Sequence, residues 1–256
     1  MHRYKQTPAI VLLVIGIALM MMPSVPRALV LAVLAAAAVL MVFASRSSYY
    51  FNKASKIIRT KEVARFPEAV GYLNKSIDAG LPDDYLVIAA SVLMQYGDKE
   101  KARTALVPLL DSKKKQTAAL AKITLSMYYF VSDDIEEAIR LCESARDDDG
   151  SADRNLYVNL AVYYLRAGDR KNYRKTVKDA VSHYPSSPAV VDSQAILYML
   201  DGRWDLAGAT LFAIFDTINP SFADPYVHMA MVHMHYGEIG KARKELEKAE
   251  ATLFTN

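Results

Sequence analysis

The densest cluster of chemically able side chains is His228-Met229-Ala230-Met231-Val232-His233-Met234-His235. Imidazole and thioether together suit soft or borderline metals such as copper and zinc. On a helix, however, His228 and His235 stand two turns apart and His233 projects elsewhere. A metal site from His228, Met231 and His235 is therefore the disfavoured use of this segment, and packing within a helical repeat, with a histidine or two exposed, is the favoured one. The acidic run Asp147-Asp148-Asp149-Gly150, with Asp153 nearby, lacks the ligand spacing and distal glutamate of a calcium loop and reads as a solvated link. Lys113-Lys114-Lys115 reads the same way. The chain has no glycine-rich phosphate loop, no helix with paired histidines around a glutamate and no reactive-cysteine context, so neither catalysis nor a cofactor is expected. Cys142, the single cysteine, has no intrachain disulfide partner and is expected to pack as a small apolar residue.

Charge is distributed unevenly along the 256 residues. Of the 31 basic residues, eight (Arg3, Lys5, Arg27, Arg46, Lys53, Lys56, Arg59 and Lys61) precede the first acidic residue, Glu62. That leaves 23 basic against 28 acidic residues for the rest. The basic character thus surrounds the hydrophobic segments, and the remainder lacks the like-charged face that phosphate binding requires, so nucleic-acid binding is not expected.

Two apolar segments occupy residues 1–45, at about 7–22 and 28–44. Each is slightly short of the roughly 30 Å hydrocarbon core at about 1.5 Å per residue, a deficit that local thinning or snorkelling can absorb. Pro23-Ser24-Val25-Pro26-Arg27 separates them and stops the helix. The expectation is a two-pass transmembrane hairpin in a membrane such as the cell membrane. Basic flanks place both termini and all that follows on the cytoplasmic side, with Tyr4, Tyr49, Tyr50 and Phe51 as aromatic anchors. A cleaved secretory signal is the competing reading, and the proline-broken second segment and the basic stretch from Arg46 to Lys61 count against it. Ala28, Ala32 and Ala36 recur every four residues and would let a neighbouring helix approach, one route to self-association.

Beyond this region a period of about 35 residues emerges. One unit has Tyr157, Leu160, Ala161 and Tyr164 on a first helix, a turn at Gly168, Val177 and Ala180 on a second helix, and Pro185 at its close. The start of each second helix is marked by Ala69, Ala102, Ala138, Tyr173, Ala207 and Ala242. This pattern resembles the tetratricopeptide repeat: aromatic, Leu-small, Tyr, a glycine turn, a second helix and a proline. The small residues let helices approach, the aromatics fill the space between hairpins, and glycine accepts a left-handed conformation. Tyr173 departs from the pattern and puts the packing of its hairpin in doubt.

The resemblance implies an all-α solenoid, a right-handed superhelix of helix pairs behind the membrane hairpin. The expected organisation is a juxtamembrane helix and partial first repeat over 46–82, then five repeats at about 83–118, 119–153, 154–187, 188–222 and 223–256. Residues 46–62 are expected to continue the second apolar helix. The 238–252 helix, with no further amphipathic helix after it, is expected to dock on another subunit or a second copy.

The resemblance further implies that protein or peptide ligands lie along a concave face formed by first helices. Helical spacing places Val87, Ser91 and Met94; Ile123, Met127 and Phe130; Val158, Asn159, Val162 and Arg166; Asp192, Ile196 and Met199; and His228, Met231 and Met234 on that face. Its methionines suit an amphipathic helix or hydrophobic segment. Family members that grip a C-terminal carboxylate use lysines as well as asparagine and arginine; only Asn159 and Arg166 match, so that ligand is not expected. Two functions follow as expectations: a scaffold or adaptor holding a protein partner at a membrane, or a stable subunit or assembly factor of a membrane complex.

Overall fold

The computed structural model describes residues 7–22, 24–60, 62–148, 153–217, 220 and 222–252. The expected anchors Arg3, Tyr4 and Lys5, together with Pro23, Lys61, Asp149, Gly150 and Phe254 to Asn256, lie outside the described residues. Thirteen α-helices are present among the described residues, divided between two compact units, Met1–Leu109 and Leu110–Asn256.

The first unit holds α1 (Thr7–Met20), α2 (Arg27–Arg59), α3 (Phe66–Asp78), α4 (Asp83–Tyr96) and α5 (Lys99–Leu106). The first apolar helix ends two residues earlier than expected. Its 14 residues make a rod of roughly 21 Å, and α2 is the described helix long and apolar enough to cross a membrane. Pro26, with φ −58° and ψ 127°, precedes α2 and sets its start. From there one helix runs 33 residues, about 50 Å, without a break between its apolar and basic halves. Small residues let α1 approach: Ala9, Gly16, Val30 and Ala37 are the buried positions of this hairpin. A Cβ on Gly16 would stand 2.6 Å from Leu34 Cδ2. Ala28, Ala32 and Ala36 are exposed and take no part in that seam.

The second half of α2 buries Ser47, Ala54 and Ile57, a stripe at helical spacing, and α3 packs on this half of the unit with Phe66, Ala69, Leu73 and Ser76 inward. Phe66 meets Tyr96 edge-on at 4.8 Å, tying the start of α3 to the end of α4. The turn into α5 departs from expectation. Gly97 has φ −139° rather than a left-handed conformation, and it sits in close packing, since a Cβ there would lie 2.7 Å from Leu93 Cδ2 and 3.1 Å from Val70 Cγ1 and would require those side chains to shift.

The second unit is four helix pairs: α6 (Lys115–Val131) with α7 (Ile135–Asp148), α8 (Arg154–Arg166) with α9 (Arg170–His183), α10 (Pro188–Leu200) with α11 (Trp204–Thr217), and α12 (Asp224–His235) with α13 (Ile239–Glu250). Within a pair the turn carries one left-handed residue: Asp133 (φ 62°), Gly168 (75°), Gly202 (73°) and Gly237 (73°). Asp134 Oδ1 then accepts from Glu137 N–H at 3.1 Å and Asp169 Oδ1 from Asn172 N–H at 3.0 Å, satisfying orphan amides at the start of second helices. Helix α6 begins at Lys115, taking in part of the lysine run, because Thr117, Ala118 and Ala119 are buried and extend the packed face.

Tyr173 is accommodated rather than disruptive. Its side chain is among the largest fully buried ones, and its hydroxyl donates to the Ser193 carbonyl of α10 at 2.7 Å. Where Ala138, Ala207 and Ala242 bring helices together through size alone, this hairpin is joined to the next by a buried phenol.

Candidate partner-binding face

In the second unit the first helices α6, α8, α10 and α12 pack on one another in sequence, as well as on their second helices. This packing engages much of the face expected to meet a partner. Ile123, Phe130, Val162 and Ile196 belong with Leu160, Tyr163 and Leu197 to one hydrophobic cluster, and Phe130 stacks on Tyr163 at 4.8 Å. Met199 packs with Met229 and Val232 in the next cluster, and Val158 packs with Tyr157 and Val190. In the first unit Val87 and Met94 are buried, while the Ser91 hydroxyl donates to the Ile88 carbonyl at 2.8 Å. Spacing along one helix identified residues turned away from the second helix, but not which of them a neighbouring first helix covers. Val87, Met94, Ile123, Asp192 and Met199 are buried by the chain itself, a correction to their expected placement on an open face.

The polar members have defined partners. His228 Nδ1 lies 2.8 Å from Asp192 Oδ1, joining α12 to α10 at a position where Asp192 is 5% exposed. Burial lifts the Asp192 carboxyl above the usual range, and the His228 contact opposes that rise. Burial alone would lower His228, but the hydrogen bond and charge of Asp192 raise it above an ordinary histidine. Asn159 Nδ2 is buried and has no hydrogen-bond partner. Arg166 pairs with Asp133 at 3.1 Å on the surface.

What stays open is methionine: Met231 is 45% and Met234 57% exposed, with Met127 half-buried. The neighbouring histidines are directed to separate partners. His233 Nδ1 meets Glu238 Oε2 at 2.7 Å at the start of α13, and His235 stacks on Trp204 with ring centroids 4.3 Å apart. Among the described residues no group of three or more His, Cys, Asp or Glu could hold a metal ion.

A buried polar network escaped the sequence reading. Cys142 Sγ donates to Ser126 Oγ at 3.1 Å, Ser126 donates to the Ile123 carbonyl at 2.7 Å, and Tyr163 Oη lies 3.0 Å from Ser126 Oγ. Burial pushes the Cys142 thiol up to about 12, so it is an inert thiol in the core. The signal was Ser126, which stands at the repeat's small-residue position while carrying a hydroxyl. A second overlooked signal was Asp98, Asp134 and Asp169, which recur at the repeat period and cap successive second helices.

No family model matches the chain, and no curated protein does. Solved structures do. The chain is similar to a tetratricopeptide repeat protein from Parabacteroides merdae, at 16% identity with TM-score 0.64 over 95% of this chain and 93% of that one. It is similar to TTC0263, a thermophilic tetratricopeptide protein of Thermus thermophilus, at 16% identity and TM-score 0.60 over 73% of this chain and 99% of that one. It is also similar to PilW, a type IV pilus biogenesis factor, at 13% identity and TM-score 0.59 over 80% of this chain and 92% of that one. The likeness is one of fold: the chain is an all-helical, tetratricopeptide-type solenoid.

Proposed function

We propose that this chain is a membrane-anchored scaffold that holds a protein partner, in the form of an amphipathic helix or hydrophobic segment, at the cytoplasmic surface of a membrane. The observation that carries the reading is α2. Its apolar stretch is long enough to cross a membrane and is almost entirely unburied within the protein. Leu31, Val42 and Phe43 are exposed there, a surface suited to a hydrocarbon environment. The same helix then packs into the first helical hairpin, so the anchor and the repeats share one rigid element within the first unit.

In this reading α1 and α2 are the two arms of the anchor, and the Ser24 turn lies across the bilayer from the basic flank of α2. Partner binding falls to the open methionines, whose unbranched thioethers adapt to irregular apolar surfaces. No catalytic step is assigned.

Two measurements test the proposal. Cys142 is buried, so a Ser24→Cys variant carries one accessible thiol; in intact cells it should react with an impermeant maleimide, and labelling only after the membrane is opened would overturn the two-pass arrangement. Partner capture by mild-detergent purification should be lost in Met231→Glu/Met234→Glu with helicity retained. Retention of the same partner by that variant would remove the methionine surface from the binding site. Met199→Glu is the wrong probe, because a charge at that buried position would report on folding.

A further inference from the structure

Just beyond the apolar half of α2, aromatic rings and ammonium groups converge from two helices. Tyr49 and Tyr50 of α2 meet edge-on at 5.5 Å, and Tyr50 stacks on Tyr72 of α3 at 6.3 Å. Lys53 Nζ lies 5.0 Å from the Tyr49 ring centre and 5.3 Å from that of Tyr72. Lys75 Nζ, from α3, lies 6.0 Å from Tyr50 and 5.8 Å from Tyr72. Arg46 stands over Phe43 at 5.1 Å, one turn closer to the apolar segment. The described ion pairs of this unit engage Arg65, Lys101 and Arg103, and give neither Lys53 nor Lys75 a carboxylate.

The level of the cluster along α2 defines its surroundings. Counting from Ala44, Arg46 is about 3 Å, Tyr49 about 8 Å and Lys53 about 13 Å further along the axis. The interfacial zone outside the hydrocarbon is about 5–8 Å deep on each side. Lys53 starts beyond that zone, and its ammonium is turned back over the Tyr49 ring, toward the apolar half of α2. Lys75 brings a second ammonium to the level of Tyr50 from a different helix. On the membrane reading of α2, Tyr49 stands at the outer edge of the headgroup layer and Tyr50 just beyond it, and neither Lys53 nor Lys75 is engaged by the described ion pairs of this unit.

We infer that Lys53 and Lys75, framed by Tyr49, Tyr50 and Tyr72, form a binding site for the phosphate of an anionic phospholipid in the leaflet from which α2 emerges. The site rests on the membrane reading of α2. It adds that α3, a repeat helix, contacts the lipid surface directly, so anionic lipid fixes the first hairpin against the bilayer. The aromatic edges line the glycerol region and the ammonium groups supply two hydrogen-bonding charges to the phosphate.

The test uses the full chain purified in a neutral detergent, titrated with phosphatidylglycerol or phosphatidylcholine and read by native mass spectrometry. Phosphatidylglycerol should be retained preferentially. Lys53→Gln/Lys75→Gln should weaken its retention by about 25-fold, about fivefold for each charge near a membrane surface, while Lys171→Gln/Lys175→Gln on α9 should leave it unchanged. Equal retention of the two lipids, an equal loss in the α9 control, or displacement of lipid by inorganic phosphate would each overturn the site. Extraction of the protein from native membranes by alkaline carbonate would overturn the membrane reading as well; resistance to carbonate with equal lipid retention would overturn the lipid site alone.

Discussion

Replacing His228 with leucine leaves the Asp192 carboxylate in a site where it is 5% exposed and its one described side-chain partner, the imidazole 2.8 Å away, is gone. Removing one member of a buried ion pair costs about 3–5 kcal/mol, because the other charge stays desolvated. At roughly 2–4 °C per kcal/mol for a unit of this size, the thermal midpoint should fall on the order of 10 °C at pH 7. Replacing both, as Asp192→Leu/His228→Leu, removes the stranded charge and should recover most of the loss. The pH profile gives an independent reading. The pKa of His228 is raised in the folded state, so its stabilisation is complete below the unfolded value near 6.5 and fades as pH rises through the folded value. Asp192 is also raised, so in the His228→Leu variant the folded state takes up a proton on acidification, and the deficit should shrink as pH falls toward the carboxylate range. Asp224 acts on both groups and lies on α12, so it is left unchanged in all variants. The assay is thermal unfolding of the full chain followed by helical circular dichroism between pH 5 and 9. A His228→Leu loss below about 1 kcal/mol, or a double variant no better than the single one, would refute the stranded-charge argument.

Tyr173→Ala installs the residue that the other second helices carry, yet it should destabilise by about 3–5 kcal/mol through the cavity it opens, while Tyr173→Phe should cost about 1 kcal/mol for the lost hydrogen bond to the Ser193 carbonyl; equal stability of the alanine variant in chemical denaturation would contradict the packing described. Gly202→Ala forces a side chain into a left-handed backbone at φ 73° and should cost about 1 kcal/mol, whereas Asp133→Gly relieves the same conformation and should be neutral or stabilising by up to about 1 kcal/mol; a stabilising Gly202→Ala or a clearly destabilising Asp133→Gly in denaturant midpoints would show that the turns are not conformationally equivalent. Cys142, with its thiol pushed up to about 12 by burial, should not react with a disulfide reagent at pH 8 until the protein unfolds, and stoichiometric labelling of the native chain would place it outside the core.

The helical repeats were legible because their signal is redundant. Alanine at Ala69, Ala102, Ala138, Ala207 and Ala242 is a local requirement of close helix approach, imposed afresh in each hairpin, so it survives in the one-dimensional pattern. The apolar character of α2 was equally plain, since hydropathy is a property of composition. The end of α1 falls two residues before the expected one, because a proline such as Pro23 forbids continuation of a helix but leaves open how many residues earlier it ends.

Other features depended on a second helix that no spacing rule identifies. A residue facing away from its own hairpin partner can meet solvent or the next first helix, and the sequence alone does not distinguish Met199, which is buried, from Met234, which is open. Asp192 and His228 are 36 residues apart, and Tyr173 reaches Ser193 across 20. Lys53 and Lys75 converge because α3 folds back along α2. The sequence by itself determined that the chain is helical, that its helices recur as repeat-like pairs and that residues 7–22 and 28–44 are apolar, because those follow from periodicity and composition; that α2 rather than α1 is long enough to cross a membrane was set by where the helices end. The tertiary structure alone decided which faces remain open and which charges are stranded, because burial of a side chain is set by whichever helix lies against it, however far away in the chain that helix is.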